Sequence, residues 1–192
     1  MNKLPLSRPL PVGLALAALM LLTRSHHFAS AVHLPDASWA VFFLAGALLP
    51  GWRPLAALLG LAGAVDYVAI TFGGVSAFCV SPAYVALIPA YGALYGAGRW
   101  YARGHAPTLS SLPRFVAAAL VGTTACELLS SGAFFFFSGR FAEPTLAEFG
   151  ARFVRYFPQA LEGVALYLTD GVIAYAAFAA LPRRHDAVSP RS

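Results

Sequence analysis

Six apolar runs alternate with short polar breaks along the chain. The first, residues 10–22, ends in Thr23-Arg24-Ser25-His26-His27, and the second, around 39–49, closes at Pro50-Gly51-Trp52-Arg53-Pro54. The third, 55–72, is interrupted by Asp66 and stops at Gly73-Gly74. The fourth, 82–100, follows a small uncharged connection, the fifth, 115–137, contains Glu127, and the sixth, 158–181, contains Glu162 and Asp170. A helix needs about 20 apolar residues to cross a bilayer. Lipid satisfies no backbone polar group, so helices are the form these runs can take. The pattern predicts an all-α membrane protein, one integral domain over residues 1–192. Its six transmembrane helices fall at about 10–28, 35–52, 54–72, 82–101, 113–137 and 158–181. The second run is short and crosses only with its flanking residues or through a thinned bilayer. Between the last two, residues 138–157 carry Leu146, Phe149, Phe153 and Tyr156 or Phe157 at roughly helical spacing among charges. That segment reads as an amphipathic helix on the outer interface, with a plain connector and a lid over a site both open as roles.

Composition agrees with the pattern. The 192 residues are 59% hydrophobic and 11% charged, with mean hydropathy +0.68, whereas soluble domains are about 45–50% apolar and about 25% charged. So few charges cannot solvate a compact soluble body, which excludes a cytoplasmic enzyme and a disordered tail. A net charge of +5 by itself admits nucleic acid, but the 13 Lys and Arg form no patch or stripe, so no nucleic-acid partner is expected. Their placement encodes topology instead. With the N-terminus in the cytoplasm and six crossings, nine of them fall inside and four (Arg24, Arg140, Arg152 and Arg155) outside, the bias of the positive-inside rule. Both termini are therefore expected in the cytoplasm. Trp39, Trp52, Trp100 and the phenylalanines at 134–137 fall at run ends, where an interfacial aromatic belt belongs. Ala29-Ser30-Ala31 after a basic and then apolar start imitates a secretory cleavage site. The polar stretch before it is long and holds Arg24 and two histidines, so an uncleaved first span is the expectation.

Several chemistries are absent from the chain. It has no GxxxxGK[ST] for phosphates, no CxxC for thiol exchange, and neither HExxH nor GxSxG. What remains are isolated polar residues inside apolar helices, each costing about 2.5–3.5 kcal/mol at the bilayer centre on insertion scales and so facing a cavity or a partner.

Cys79 is the most informative of them. It lies in Thr71-Phe72-Gly73-Gly74-Val75-Ser76-Ala77-Phe78-Cys79-Val80-Ser81-Pro82-Ala83-Tyr84, an outer connection without Lys, Arg, Asp or Glu. A loop this uncharged suits a sheltered bundle mouth that presents a thiol to a cavity, although a buried structural cysteine is the commoner outcome for such a residue. Cys126, in the middle of the fifth run, reads as a core cysteine. Asp66 sits about a turn and a half inside the third run, next to Tyr67. Tyr84, Tyr91 and Tyr95 are spaced to share one helix face. They offer stacking surface and hydroxyls to a large, amide-rich ligand, or else pack helices together with the Gly92-x-x-x-Gly96 pattern. Glu162 and Asp170 are expected to point inward in hydrogen-bonding roles. His26, His27, His33 and Asp36 match no closed zinc site in spacing, and solvation at the interface suits them better.

Six short helices, an Ala/Gly-rich first helix with Gly13-x-x-x-Ala17 and an outer ligand mouth resemble the S-components of energy-coupling-factor (ECF) vitamin transporters. More narrowly, His26-His27-Phe28, Leu34-Pro35-Asp36-Ala37-Ser38-Trp39-Ala40, Asp66-Tyr67 and Cys79-Val80-Ser81-Pro82-Ala83-Tyr84 are similar to the BtuM-type cobalamin transporters, solitary S-component-like proteins of the inner membrane of Gram-negative bacteria. The resemblance covers essentially the whole chain, with the cysteine loop its most specific part. It implies uptake of cobalamin (vitamin B12) with Cys79 as axial ligand to the cobalt, and Asp66, Tyr84 and Arg152 around the corrinoid. Tyr67, Phe78 and Tyr91 are expected contacts of the same ligand, and Arg152 or Arg155 a partner for its phosphate. A soft thiolate is a competent cobalt ligand. If it displaces the upper ligand, cyanocobalamin loses cyanide on the protein, an accessory reaction of a transporter. The resemblance also implies either an ATPase module docking at Gly13 and Ala17 or solitary action. The rival readings are a membrane thiol enzyme or redox protein using Cys79, and an S-component for another vitamin or a metal ion.

Overall fold

The computed structural model of the chain describes residues 9–24, 35–104 and 108–180. Ala29-Ser30-Ala31, the three histidines at 26, 27 and 33, and the basic residues of both termini lie outside the described residues. Within them the protein is all-helical, with α1 (Pro9–Arg24), α2 (Ser38–Leu48), α3 (Arg53–Phe72), α4 (Leu87–Arg103), α5 (Leu112–Phe137) and α6 (Leu146–Ala180), and no strand. Three of these are long and apolar enough to cross a membrane: α3, α5 and α6.

The second run forms a helix of only 11 residues, about 16 Å long at 1.5 Å per residue. Its sequence, Ala-Val-Phe-Phe-Leu-Ala-Gly-Ala over 40–47, is apolar all round, and each of these residues is buried. A helix with no polar face belongs in the middle of a bundle, and α2 is the core around which α1, α3, α4 and α6 pack. Pro50-Gly51 ends it, with Gly51 at φ 76°, a left-handed conformation that glycine takes without strain. Tyr95 donates its hydroxyl to the Gly51 carbonyl at 2.6 Å, and Arg99 donates to the Leu49 carbonyl at 3.0 Å.

The backbones of α2 and α4 touch. A Cβ on Gly46 would collide with the carbonyl of Tyr95, and one on Gly98 with the carbonyl of Phe43. The packing glycines are therefore Gly46 and Gly98. Gly92 and Gly96, which the sequence pattern singled out, have open space where a side chain would go. The fourth run begins as a 3-10 segment, Pro82–Ala86, and becomes α-helical at Leu87.

The segment expected as a separate interfacial helix and the sixth span are one helix of 35 residues that runs through Pro158. Proline removes one backbone hydrogen bond there, and the rest of the helix carries on around it. Val164, Tyr167 and Leu168 are the buried residues of its middle, and a Cβ on Gly171 would press on the Leu44 side chain. Glu162 and Asp170 fall off that face and are exposed, which corrects the expectation that they point inward. At 100° per residue the apolar positions 164, 167, 168 and 171 fix which side of α6 packs, and neither acid shares it. In α1, Leu16 and Met20 enter the core, and Gly13 faces Leu49 with room for no more than a methyl group between them. Leu10, Leu14 and Leu22 face outward.

Candidate ligand-binding site

Toward the end of the bundle where α1 stops and α2 starts, the helices enclose a cavity of about 530 Å³. Its walls have three chemistries: an ion-paired floor, a ledge of oxygen atoms on α5, and an aromatic wall from α5, the α5–α6 loop and α6.

Arg24 organises the floor. Placed at the last turn of α1, its guanidinium donates from Nε to Asp66 Oδ1 at 2.7 Å and from Nη2 to Asp66 Oδ2 at 2.6 Å. Nη1 donates to Ser38 Oγ and to the Tyr91 hydroxyl, both at 3.0 Å, and lies 3.5 Å from Asp36 Oδ2. Asp36 in turn accepts from the Ser38 hydroxyl at 2.6 Å and the Ser38 amide at 2.9 Å, holding the first turn of α2. Tyr84 donates its hydroxyl to Asp66 Oδ2 at 2.5 Å. One cation thus joins α1, α2, α3 and α4, with the 3-10 segment tied in through Asp66. A planar fork that matches a carboxylate edge is what arginine supplies and lysine does not. Tyr91 is buried and stacks on Phe42 with ring centroids 4.3 Å apart, so its hydroxyl is held under the cavity.

The ledge is one face of α5. Glu127, 8% exposed, lines the cavity beside Ser130 and Ser131. Ser131 donates to Glu127 Oε1 at 2.7 Å, and Ser130 donates to the Cys126 carbonyl at 2.7 Å. The aromatic wall comes from Phe134, Phe135, Phe141, Phe149, Phe153 and Tyr156. Arg152 lies over the rings of Phe141, Tyr156 and Phe135, at 5.0, 5.5 and 5.8 Å from their centroids. The four phenylalanines at 134–137 are therefore not all belt residues. Successive helical positions turn by about 100°, so Phe134 and Phe135 face the cavity while Phe137 is 73% exposed. Trp39 also lines the cavity, whereas Trp52 and Trp100 are exposed.

Of the residues singled out in the sequence, Asp66, Tyr84, Tyr91 and Arg152 meet at this cavity. Tyr67 and Phe78 do not line it. Tyr67, one position beyond Asp66 on the helix, is 66% exposed, and Phe78, 50% exposed, sits edge-on to Phe134 under Arg140. Tyr95 is committed to the Gly51 carbonyl, away from the cavity. Cys79 ends the 3-10 turn Ala77–Cys79, between Ser76 and Val80, which both line the cavity. The thiol itself lies outside the described part of the structure. Cys126 is fully buried and does not line the cavity. Among the described residues, no group of three or more His, Cys, Asp or Glu could hold a metal ion.

Arg24, Asp36, Trp39 and the serine ledge are site residues that the sequence reading did not assign to the ligand. The signal for Arg24 was present: an aspartate inside an apolar helix needs a cation at its own depth, and Arg24 ends the neighbouring apolar run on the same side. No protein-family model matches the chain, and no curated protein is similar to it.

Proposed function

We propose that this chain takes up cobalamin across the bacterial cytoplasmic membrane, seating part of the corrinoid in the open 530 Å³ cavity with Cys79 as axial ligand to the cobalt. The observation that supports it most is the position of Cys79 in the chain. It follows an uncharged loop and stands in the chain between two residues of the cavity wall, Ser76 and Val80, in a cavity that also gathers Asp66, Tyr84 and Tyr91. The aromatic wall offers apolar surface to a large ligand, and Arg152 offers a cation at its edge. In this reading all six helices cross the membrane, both termini are cytoplasmic, and the cavity opens outward. Arg53, Arg99, Arg103 and Arg114 then lie on the cytoplasmic side, in keeping with the positive-inside bias.

Ligation by sulfur requires loss of the thiol proton. With cyanocobalamin, a cobalt–sulfur bond forms as the cobalt–cyanide bond breaks. The thiol proton leaves with cyanide as HCN, and the cobalt keeps its oxidation state. Uptake draws on an ATPase module docked along α1 or on trapping of the vitamin in the cytoplasm. For such a module α1 presents Leu10, Leu14 and Leu22, with Gly13 and Ala17 half-buried beside them.

The test is the visible spectrum of the purified protein mixed with cyanocobalamin. Wild type shifts the corrinoid bands and releases cyanide, and Cys79→Ala does neither. Identical spectra from the two proteins would remove the ligation claim. A strain lacking its own cobalamin uptake grows on traces of the vitamin with the wild-type chain and fails with Cys79→Ala. Lack of growth with wild type removes the transport claim.

A further inference from the structure

The α5 ledge has a hydrogen-bonding polarity that narrows what can lie against it. Glu127 is a carboxylate with only acceptor oxygens when ionised. Each serine hydroxyl has one proton to give, and both are already given: Ser131 to Glu127 Oε1 and Ser130 to the Cys126 carbonyl, each at 2.7 Å. With Glu127 ionised, what faces the cavity from Glu127, Ser130 and Ser131 is a row of lone pairs, because both serine protons are already given. Neither cation of the cavity wall is paired with Glu127. Arg24 is forked onto Asp66 and reaches Asp36, and Arg152 lies among the rings of Phe141, Phe135 and Tyr156. A carboxylate 8% exposed in the middle of a spanning helix needs donors, and the nearest space that can supply them is the cavity.

We propose that Glu127, with Ser130 and Ser131, is the specificity edge of the site. It accepts N–H groups from primary amides on the ligand and rejects ligands that carry a carboxylate at the same place. The inference rests on the cobalamin reading, since a corrin is edged with such amides, and it assigns a role that the cobalt–sulfur bond does not need. Replacing an amide by a carboxylate sets acceptor against acceptor and charge against charge across the ledge. Specificity then comes from repulsion of the wrong ligand as well as from attraction of the right one.

The experiment compares binding of cobalamin and of each monocarboxylate made by hydrolysing one peripheral amide, using purified full-length protein. Wild type binds at least one monocarboxylate about tenfold or more weakly than cobalamin, the size expected of a charge-assisted hydrogen bond lost inside a protein. In Glu127→Gln, whose amide can donate to the carboxylate, that gap closes to within about threefold, and in Glu127→Asp, which keeps the charge, a gap persists. Glu162→Gln, an exposed change on α6, binds like wild type. An even elution profile in detergent shows that each variant is folded, and if Glu127→Gln fails there, Ser131→Ala, which returns one lone pair of Glu127 to the cavity, must widen the gap. Absence of a gap in wild type, or a gap unchanged in Glu127→Gln, overturns the specificity edge and leaves cobalamin uptake standing. No binding of cobalamin by wild type removes both.

Discussion

Arg24 and Asp66, on different helices and 42 residues apart, close a two-bond fork with N–O distances of 2.7 and 2.6 Å. The Arg24 side chain is 10% exposed, so this pair has been taken largely out of water. Removing one partner of a buried pair costs about 3–5 kcal/mol, because the remaining charge is stranded. Arg24→Met should destabilise by that order, leaving Asp66 and Asp36 without their cation. Arg24→Met combined with Asp66→Leu should cost less than the two singles added, by at least about 1 kcal/mol. Chemical unfolding in mixed micelles measures the cycle, and strict additivity would mean that the fork contributes no coupling.

Tyr84 donates to the same carboxylate. Tyr84→Phe keeps the ring and removes the donor, so the expected loss is that of one hydrogen bond to a charged group, about 1.5–3 kcal/mol. The loss should appear in ligand affinity as well as in stability, because Asp66 lines the cavity. Tyr67→Phe, on the exposed side of the same helix, should change neither. Titration with the ligand and an unfolding curve for each variant separate the two outcomes.

The contact between α2 and α4 predicts an asymmetry among glycines. Gly46→Ala and Gly98→Ala each put a methyl group into a facing backbone carbonyl, which cannot rotate away, and overpacking of this kind typically costs about 1–3 kcal/mol. Gly92→Ala and Gly96→Ala add the same methyl group to open space on the same α4. They should be neutral or slightly stabilising, since alanine is the better helix former. Unfolding midpoints of the four variants give the comparison, and equal midpoints would contradict the close approach.

The two cysteines should behave differently. Cys126 is fully buried and does not line the cavity. Cys126→Ala should therefore leave the spectrum of added cyanocobalamin and the growth of an uptake-deficient strain at wild-type levels. In the intact protein Cys126 should resist a membrane-permeant maleimide that reacts with thiols. A lost spectral shift in Cys126→Ala would transfer the ligand role from Cys79 to this residue.

How much of this was legible beforehand depends on whether a feature is written in the local chain or in the pairing of distant segments. Asp66, Tyr84 and Tyr91 stood out by type and place, Arg152 only through the family resemblance, and all four line one cavity. Tyr67 and Phe78 were expected at the same ligand, but one helical step rotates Tyr67 to the exposed surface, and Phe78 turns to Phe134. Glu162 and Asp170 resembled Glu127, an acid inside an apolar run. Only the packed face of α6, built on Val164, Tyr167 and Leu168, shows that they lie outside it.

The sequence by itself determined that the chain is helical and apolar, roughly where its helices begin and end, and which residues carry chemistry. Hydrophobic runs, proline and glycine act over a few residues, and their physics needs no tertiary context. The tertiary structure decided which of those residues face one another. It made a 16-residue α1 deliver Arg24 to an aspartate on α3, enclosed α2 as a core helix, and left the serines of α5 with no proton to offer the cavity. Those outcomes depend on helix rotation and backbone approach over a few ångströms, which the packing of all six helices settles together.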